Sequence, residues 1–328
     1  MTDNSVLLKQ IFRNPVMASY DASCKRLLSN KTILAWIIKS CIKEYEACEI
    51  EYIAKYCLEE NSMVGQAAVH PDEVFCGEQI RGSAQQDTSA QEGTITYDIK
   101  VCAWLPGTEE GKERGRLFLD IEAQNDFHPG YPVVTRGIYY VGRMISAQYG
   151  TEFTHSRYGD LKKVYSIWIC SNPPVGRRRT MNTYGITEKC LAGAVKEPEN
   201  HYDLLEVIII CLGDSREKDG FGIFRLLEVL LSPYMRAGEK IKILKDEFSI
   251  VMERKFEEEV REMCDLSIGV AEWGMEQGIK QGIKEGICTA IKNLMSTTNW
   301  SAEQAMEALK IPEKEREAYA EQLREQTV

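Results

Sequence analysis

The chain has 328 residues, 44% of them apolar, and a formal net charge of −10, enough for one large domain with an appendage or for two domains with a sizeable core, and too acidic for non-specific nucleic-acid binding over the whole surface, though not for a local basic patch. Its 11 scattered cysteines include no C-x-x-C pair and it has only 4 histidines, which argues against a structural zinc site and suits a reducing cytoplasm. No run reaches the roughly 18 apolar residues of a membrane span, and the stretch around Lys9 and Arg13 has no signal-peptide pattern.

Residues 20–58 read as helical: Leu27, Leu28, Ile33, Leu34, Ile37, Ile38 and Ile42 recur near helical spacing, and Ser29-Asn30 is placed to cap a helix starting at about Lys31. Residues 60–93, rich in Gln, Ser and Gly, read as a loop. A hairpin follows. Its first strand, 95–104, alternates Ile95, Tyr97, Ile99, Val101 and Ala103 against Thr96, Asp98, Lys100, Cys102 and Trp104. A loop over 105–115 holds Pro106, Gly107, Gly111 and Gly115. Its second strand, 116–124, alternates Leu117, Leu119, Ile121 and Ala123 against Arg116, Phe118, Asp120, Glu122 and Gln124. The period of two puts Asp98, Asp120, Glu122 and Gln124 off the apolar face, and a short connection makes the two strands antiparallel neighbours, so that Asp98 faces the Glu122 region.

An amphipathic helix over 133–149 carries Arg136, Tyr140 and Arg143. The apolar run 164–170 reads as a central strand, and another strand lies within 204–212 around Val207-Ile208-Ile209-Ile210. Helices are expected at about 221–232 and 237–264. Beyond them, Gly274, Gly278, Gly282 and Gly286 recur every fourth residue beside a column of Met275, Ile279, Ile283, Ile287, Ile291 and Met295. Glycine costs roughly 1 kcal/mol per helical position relative to alanine, so this helix is weak alone and is expected to dock on the body or on a second copy. Lys280, Lys284, Glu276 and Glu285 interrupt it as a membrane segment. Residues 301–326 read as two short polar helices broken at Pro312.

Two carboxylates converging from adjacent strands, Asp98 and Glu122, suit a hard divalent cation, and a cation held that way assists phosphodiester hydrolysis. Asp120 shares the face of Glu122 and reads as a solvated acid, with a place in the ligand shell as the alternative; Asp21 is open to the same site or to a helix-capping or ion-pairing role. Between 130 and 200, ten Lys and Arg outnumber five acids, a local excess that favours a phosphate backbone. Arg136 and Tyr140, one helical turn apart, and Arg143 are candidate backbone contacts.

The order helix, strand with Asp98, strand with Glu122-x-Gln124, helix, strand resembles the PD-(D/E)xK nuclease superfamily, and more narrowly the Rpn (recombination-promoting nuclease) family of putative transposases. The resemblance runs through Asp21-x-x-x-Lys25, Glu92-Gly93-x-Ile95-x-Tyr97-Asp98-Ile99, Asp120-Ile121-Glu122-Ala123-Gln124-Asn125-Asp126, Gly130-Tyr131-Pro132, Arg136-Gly137-Ile138-Tyr139-Tyr140 and Lys162-Lys163-Val164-Tyr165-Ser166-Ile167-Trp168. It implies an α/β fold, a restriction-endonuclease-like mixed sheet flanked by helices over residues 15–235; the helical C-terminal region over 237–328, with its glycine and isoleucine columns, is expected to self-associate into a homo-oligomer. It implies that Asp98 and Glu122 ligate Mg²⁺ or Mn²⁺, and that Gln124 stands where most superfamily members carry lysine, able to orient water but supplying no charge. The implied activity is metal-dependent hydrolysis of DNA linked to recombination or mobile elements, in the cytoplasm and away from membranes. The competing reading is a catalytically inactive DNA-binding or assembly module on the same fold.

Overall fold

The computed structural model describes residues 15–59, 68–69, 86–89, 93–107, 115–217 and 219–325. They divide into two compact units. The larger covers Ser19–Asp265; the smaller covers Leu266 onward, together with the residues before Ser19.

The larger unit is α/β. Its five-stranded mixed sheet has the order β4-β5-β6-β8-β7, where β4 is Ile99–Trp104, β5 Arg116–Asp126, β6 Val164–Asn172, β7 Thr180–Gly185 and β8 Leu205–Cys211. β5, β6 and β8 run parallel, and β4 and β7 close the two edges antiparallel. A second sheet has the order β1-β2-β3, from Ala68–Val69, Gln86–Ser89 and Gly93–Thr96. Two of these short strands fall in the stretch expected to be a loop; the rest of 60–93 lies outside the described residues apart from Gly93. The single strand expected over 95–104 is in fact two, β3 and β4, belonging to different sheets. The break falls at Tyr97-Asp98, so Asp98 lies at a chain bend where its backbone N–H is released from the ladder.

Both faces of the main sheet are covered, as is usual where strands run parallel. On one face Ile99, Val101, Leu119, Ile121, Ile167, Ile169, Ile208 and Ile210 pack against helix α2, Lys31–Cys41, and the other helices of that layer. Helix α1, Pro15–Leu28, precedes α2, and the Asn30 side chain caps α2 by accepting from the backbone N–H of Thr32 (2.9 Å) and Ile33 (3.4 Å), as the sequence predicts. Ile33, Leu34, Ile37 and Ile38 of α2 are fully buried, each contributing about 1.5–3 kcal/mol of transfer free energy against the entropy of ordering the chain. On the opposite face Trp168, Cys170, Val207 and Ile209 pack under helix α3, Val133–Ser146, through Val133, Tyr140, Val141 and Met144. Gly137 is the contact point: a Cβ there would stand 2.5 Å from Val207 Cγ1 and 3.0 Å from Trp168 Nε1. This glycine lets α3 lie close enough to the sheet for Arg136 to reach β5.

Helix α4, Gly222–Leu230, and helix α5, Ala237–Phe248, follow the sheet. The helix expected over 237–264 is interrupted after Phe248, where Ser249 adopts a left-handed conformation at φ 52°. It resumes as α6, Arg254–Thr298. Leu244, Phe248, Phe256, Val260 and Met263 all enter the core of the larger unit, which is why that unit extends past the boundary expected at 235–237.

In the smaller unit Cys288, Ile291, Ala305, Met306, Ile311 and Tyr319 form a separate core between the end of α6, helix α7 (Ala302–Ala308) and helix α8 (Glu313–Glu325). Ser301 and Gln304 form a capping box at the start of α7. The isoleucine column is split: Ile291 is buried, whereas Ile279 and Ile283 are 57% and 58% exposed, and a Cβ at Gly282 or Gly286 would meet open space. Among the described residues no helix is long and apolar enough to cross a membrane.

Candidate active site

Three acids meet beneath α3 at the junction of β4 and β5. In the β4–β5 register Ile99 stands opposite Ile121, so the bend at Asp98 falls opposite Glu122, as the sequence predicts. The two residues interlock. The Asp98 backbone N–H donates to Glu122 Oε1 (2.9 Å), and the Ala123 backbone N–H donates to Asp98 Oδ2 (3.1 Å). Asp120, two residues before Glu122, shares its face.

Asp120 is not the solvated acid the sequence suggests. It is 0% exposed and Glu122 only 4%, because the face opposite the α2 layer is also covered, by α3. Ser166 Oγ donates to Asp120 Oδ2 (2.8 Å), and Trp168 Nε1 donates in turn to Ser166 Oγ (2.9 Å). This relay follows from the parallel register, which sets Asp120 beside Ser166 and Glu122 beside Trp168. Asp120 Oδ1 has no hydrogen bond from a donor, although the Glu122 carboxyl lies close enough to interact with it.

Burial drives the protonation of the whole cluster upward. Desolvation pushes Asp120 up to about 7, opposed by the Ser166 hydroxyl. Desolvation, then the charges of Asp120 and Asp98, hold Glu122 well above the usual carboxylate range. Asp98 is also raised by burial, against the lowering pull of Lys25. Three acids that resist ionisation together form an electrostatically frustrated site, which a cation relieves.

Among the described residues Lys25 and Arg136 ion-pair with the cluster, and the charge of Lys100 also acts on Asp120. Lys25, on α1, places its Nζ 2.8 Å from Asp98 Oδ1 and 2.6 Å from Asp21 Oδ2. Asp21 is therefore tied to the site through Lys25. Arg136 approaches Glu122 Oε2 at 3.9 Å and donates to the hydroxyls of Tyr140 (3.0 Å) and Tyr131 (2.8 Å). Its guanidinium lies 5.0 Å from the Tyr140 and Trp168 ring centroids. Arg136 and Tyr140 thus form part of the site wall rather than a free backbone-contact pair, and Arg143 is buried rather than displayed as a surface cation.

Gln124, two residues beyond Glu122 on β5, is engaged by its own strand end. Its amide donates to the Asp126 carbonyl (2.7 Å), toward the end of β5. The basic stretch is also less free than its local count implies, because acids from elsewhere in the chain meet it. Lys163 pairs with Asp203 and Glu206, Arg178 with Glu217, and Arg179 with Asp219 and Glu228. Arg177 to Arg179 lie in a short turn that leads into the edge strand β7, Arg177 exposed and Arg178 and Arg179 half-buried against their acids.

Among the described residues no three His, Cys, Asp or Glu side chains are grouped so as to hold a metal ion by themselves. The donors at hand are nevertheless all oxygens, one of them an orphaned buried carboxylate oxygen. Mg²⁺ is commonly held by only one or two carboxylates, with waters and substrate phosphates completing its shell. Asp98 and Glu122 are the two carboxylates that would have to supply it, and each already accepts one backbone N–H. A cavity of about 260 Å³ opens elsewhere, at the carboxyl ends of β5, β6 and β8, lined among others by Tyr20, Asn125, Asn172, Arg178 and Arg216. None of the three acids lines it, and size alone does not outweigh the charge frustration at Asp98, Asp120 and Glu122.

Lys25 and Ser166 are the site residues that the strand pattern does not reveal. The Asp21/Lys25 spacing of four, which sets both on one helix face, is the one local sign of the first; nothing local marks the second. No family model, curated protein or solved structure matches the chain.

Proposed function

We propose that this protein is a metal-dependent deoxyribonuclease of the PD-(D/E)xK kind, akin to the Rpn family, hydrolysing DNA phosphodiesters at the Asp98–Glu122 pair. The observation that carries the reading is the interlock of these two acids across the β4–β5 bend beside a third, fully buried acid. A structural role does not call for three mutually repelling carboxylates in one buried place. Asp98 and Glu122 would hold Mg²⁺ or Mn²⁺, whose charge polarises the phosphate and lowers the pKa of water. Asp120 adds negative potential behind them, Ser166 and Trp168 orient it, and Arg136, on α3, forms one wall of the site.

Purified protein should nick supercoiled plasmid with Mg²⁺ or Mn²⁺, and Asp98→Ala or Glu122→Ala should reduce nicking by about 10³-fold or more. If both variants cut as well as the parent, the assignment is wrong.

The competing reading, a metal-free DNA-binding or assembly module, is favoured by one observation: Lys25 and Arg136 already offset part of the negative charge. Calorimetric titration with Mn²⁺ separates the two, since a module of this kind gives no heat that Glu122→Ala abolishes. Self-association through the C-terminal helices is proposed on the exposure of Ile279 and Ile283. Replacing both with Asp should lower the mass seen by light scattering; an unchanged mass excludes that face.

A further inference from the structure

A site that cleaves phosphodiesters needs positive charge on the phosphate side as well as at the carboxylates. Gln124 brings none, and its amide is engaged with Asp126. Of the two cations ion-paired with the cluster, Arg136 gives three of its five N–H groups to the hydroxyls of Tyr140 and Tyr131, stacks near two rings, and stands 3.9 Å from Glu122. Lys25 differs. Its ammonium has three N–H donors and meets two acceptors, Asp21 Oδ2 and Asp98 Oδ1. Its side chain is one-third exposed, whereas that of Asp98 is mostly covered. It therefore stands on the solvent side of the buried acid. The half-exposed Asp21, one helical turn earlier on α1, keeps the ammonium turned toward the site.

We propose that Lys25, delivered by the N-terminal helix α1, is the catalytic cation of this site: it grips a non-bridging oxygen of the DNA phosphate lying against Asp98 and Glu122, with Asp21 as its positioning residue. The inference rests on the nuclease reading above. In the hydrolysis a water oxygen bonds to phosphorus, the bond from phosphorus to the leaving sugar oxygen breaks, and that oxygen takes up a proton from solvent while the attacking water loses one to solvent. Lys25 stays protonated throughout, donating a hydrogen bond and charge rather than a proton.

The test compares full-length parent, Lys25→Met, Lys25→Arg and Asp21→Asn by thermal melting, Mn²⁺ calorimetry and the rate of plasmid nicking. Lys25→Met should bind Mn²⁺ at least as tightly as the parent, because a cation competing for Asp98 has been removed, and should nick about 100-fold more slowly, the scale of losing one transition-state donor. Lys25→Arg should retain more of the rate than Lys25→Met. Asp21→Asn should slow nicking several-fold with unchanged Mn²⁺ affinity, and serves as the test should Lys25→Met fail to fold. Nicking at the parent's rate by Lys25→Met, or by Asp21→Asn where that variant stands in, overturns the inference and leaves the nuclease reading intact. Loss of Mn²⁺ binding in Lys25→Met also overturns it, because Lys25 would then be a spacer for the carboxylates. A parent that binds Mn²⁺ but cuts no DNA under any condition overturns the nuclease reading, and the role of Lys25 with it.

Discussion

The larger unit contains two buried acid sites, and they are built on opposite principles. Glu228, on α4, is enclosed, but its charge is answered: Arg179 Nε donates to Oε1 at 3.0 Å and the Gly213 backbone N–H at 2.7 Å, while Arg179 Nη2 reaches Oε2 at 3.4 Å. A buried carboxylate with a charged partner and a backbone donor is a structural tie. Asp120 and Glu122 are equally enclosed and Asp98 less so; Lys25 and Arg136 answer part of their charge, yet one oxygen of Asp120 lacks a donor and all three are pushed toward their protonated forms. Burial of acid is common to both; what separates a tie from a candidate active site is whether the fold supplies the whole compensating charge or leaves part of it to something that binds.

If that contrast is right, neutralising the two sites should have opposite effects on stability. Glu228→Gln breaks a buried pair and should cost about 3 kcal/mol in denaturant unfolding. Glu122→Gln should leave stability unchanged or raise it while abolishing Mn²⁺ binding; a comparable loss in both variants would erase the distinction. Gly137→Ala should cost about 2 kcal/mol by overpacking α3 against Val207 and Trp168, read as a lower Tm, and should weaken Mn²⁺ binding if α3 sets the geometry of the Glu122 side.

The pH dependence sharpens the contrast further. An acid raised from about 3.9 in the unfolded chain to about 7 in the folded protein binds its proton more tightly when folded. Stability in metal-free buffer should therefore be greater at pH 5 than at pH 8, declining as pH rises from about 4 through 7. Asp120→Asn should flatten that slope; a slope of opposite sign would show that the cluster is fully compensated. The smallest effect is a control remote from both sites: Asn30→Ala removes the α2 cap and should cost about 1 kcal/mol with no change in metal binding.

Much of the architecture was legible locally. The alternation in β5, the unbroken apolar run of β6, the Asn30 cap and the break at Pro312 are all written within a few residues of where they act. Apposition of Asp98 and Glu122 also followed from period and hairpin alone. The break between β3 and β4 was not legible, because the alternation of Ile95, Tyr97 and Ile99 continues through it while the hydrogen bonds change sheet. Nor was β7, an exposed edge whose Thr-Met-Asn-Thr-Tyr-Gly has no apolar face to detect. Charge counting over 130–200 misled for a related reason: the acids that meet Lys163, Arg178 and Arg179 come from 203–228.

The amino-acid sequence by itself determined the α/β class, the helical C-terminal region and the apposition of two acids on neighbouring segments, because hydrophobic period and turn chemistry act over short range. Only the tertiary structure decided that those acids are buried, that Asp120 joins them, that the Gln124 amide is bonded to Asp126, and that Lys25 arrives from a helix more than 70 residues earlier. Those outcomes depend on which layer covers which face of the sheet. Burial and the electric field around a carboxylate are properties of everything folded over it, and no stretch of chain carries them alone.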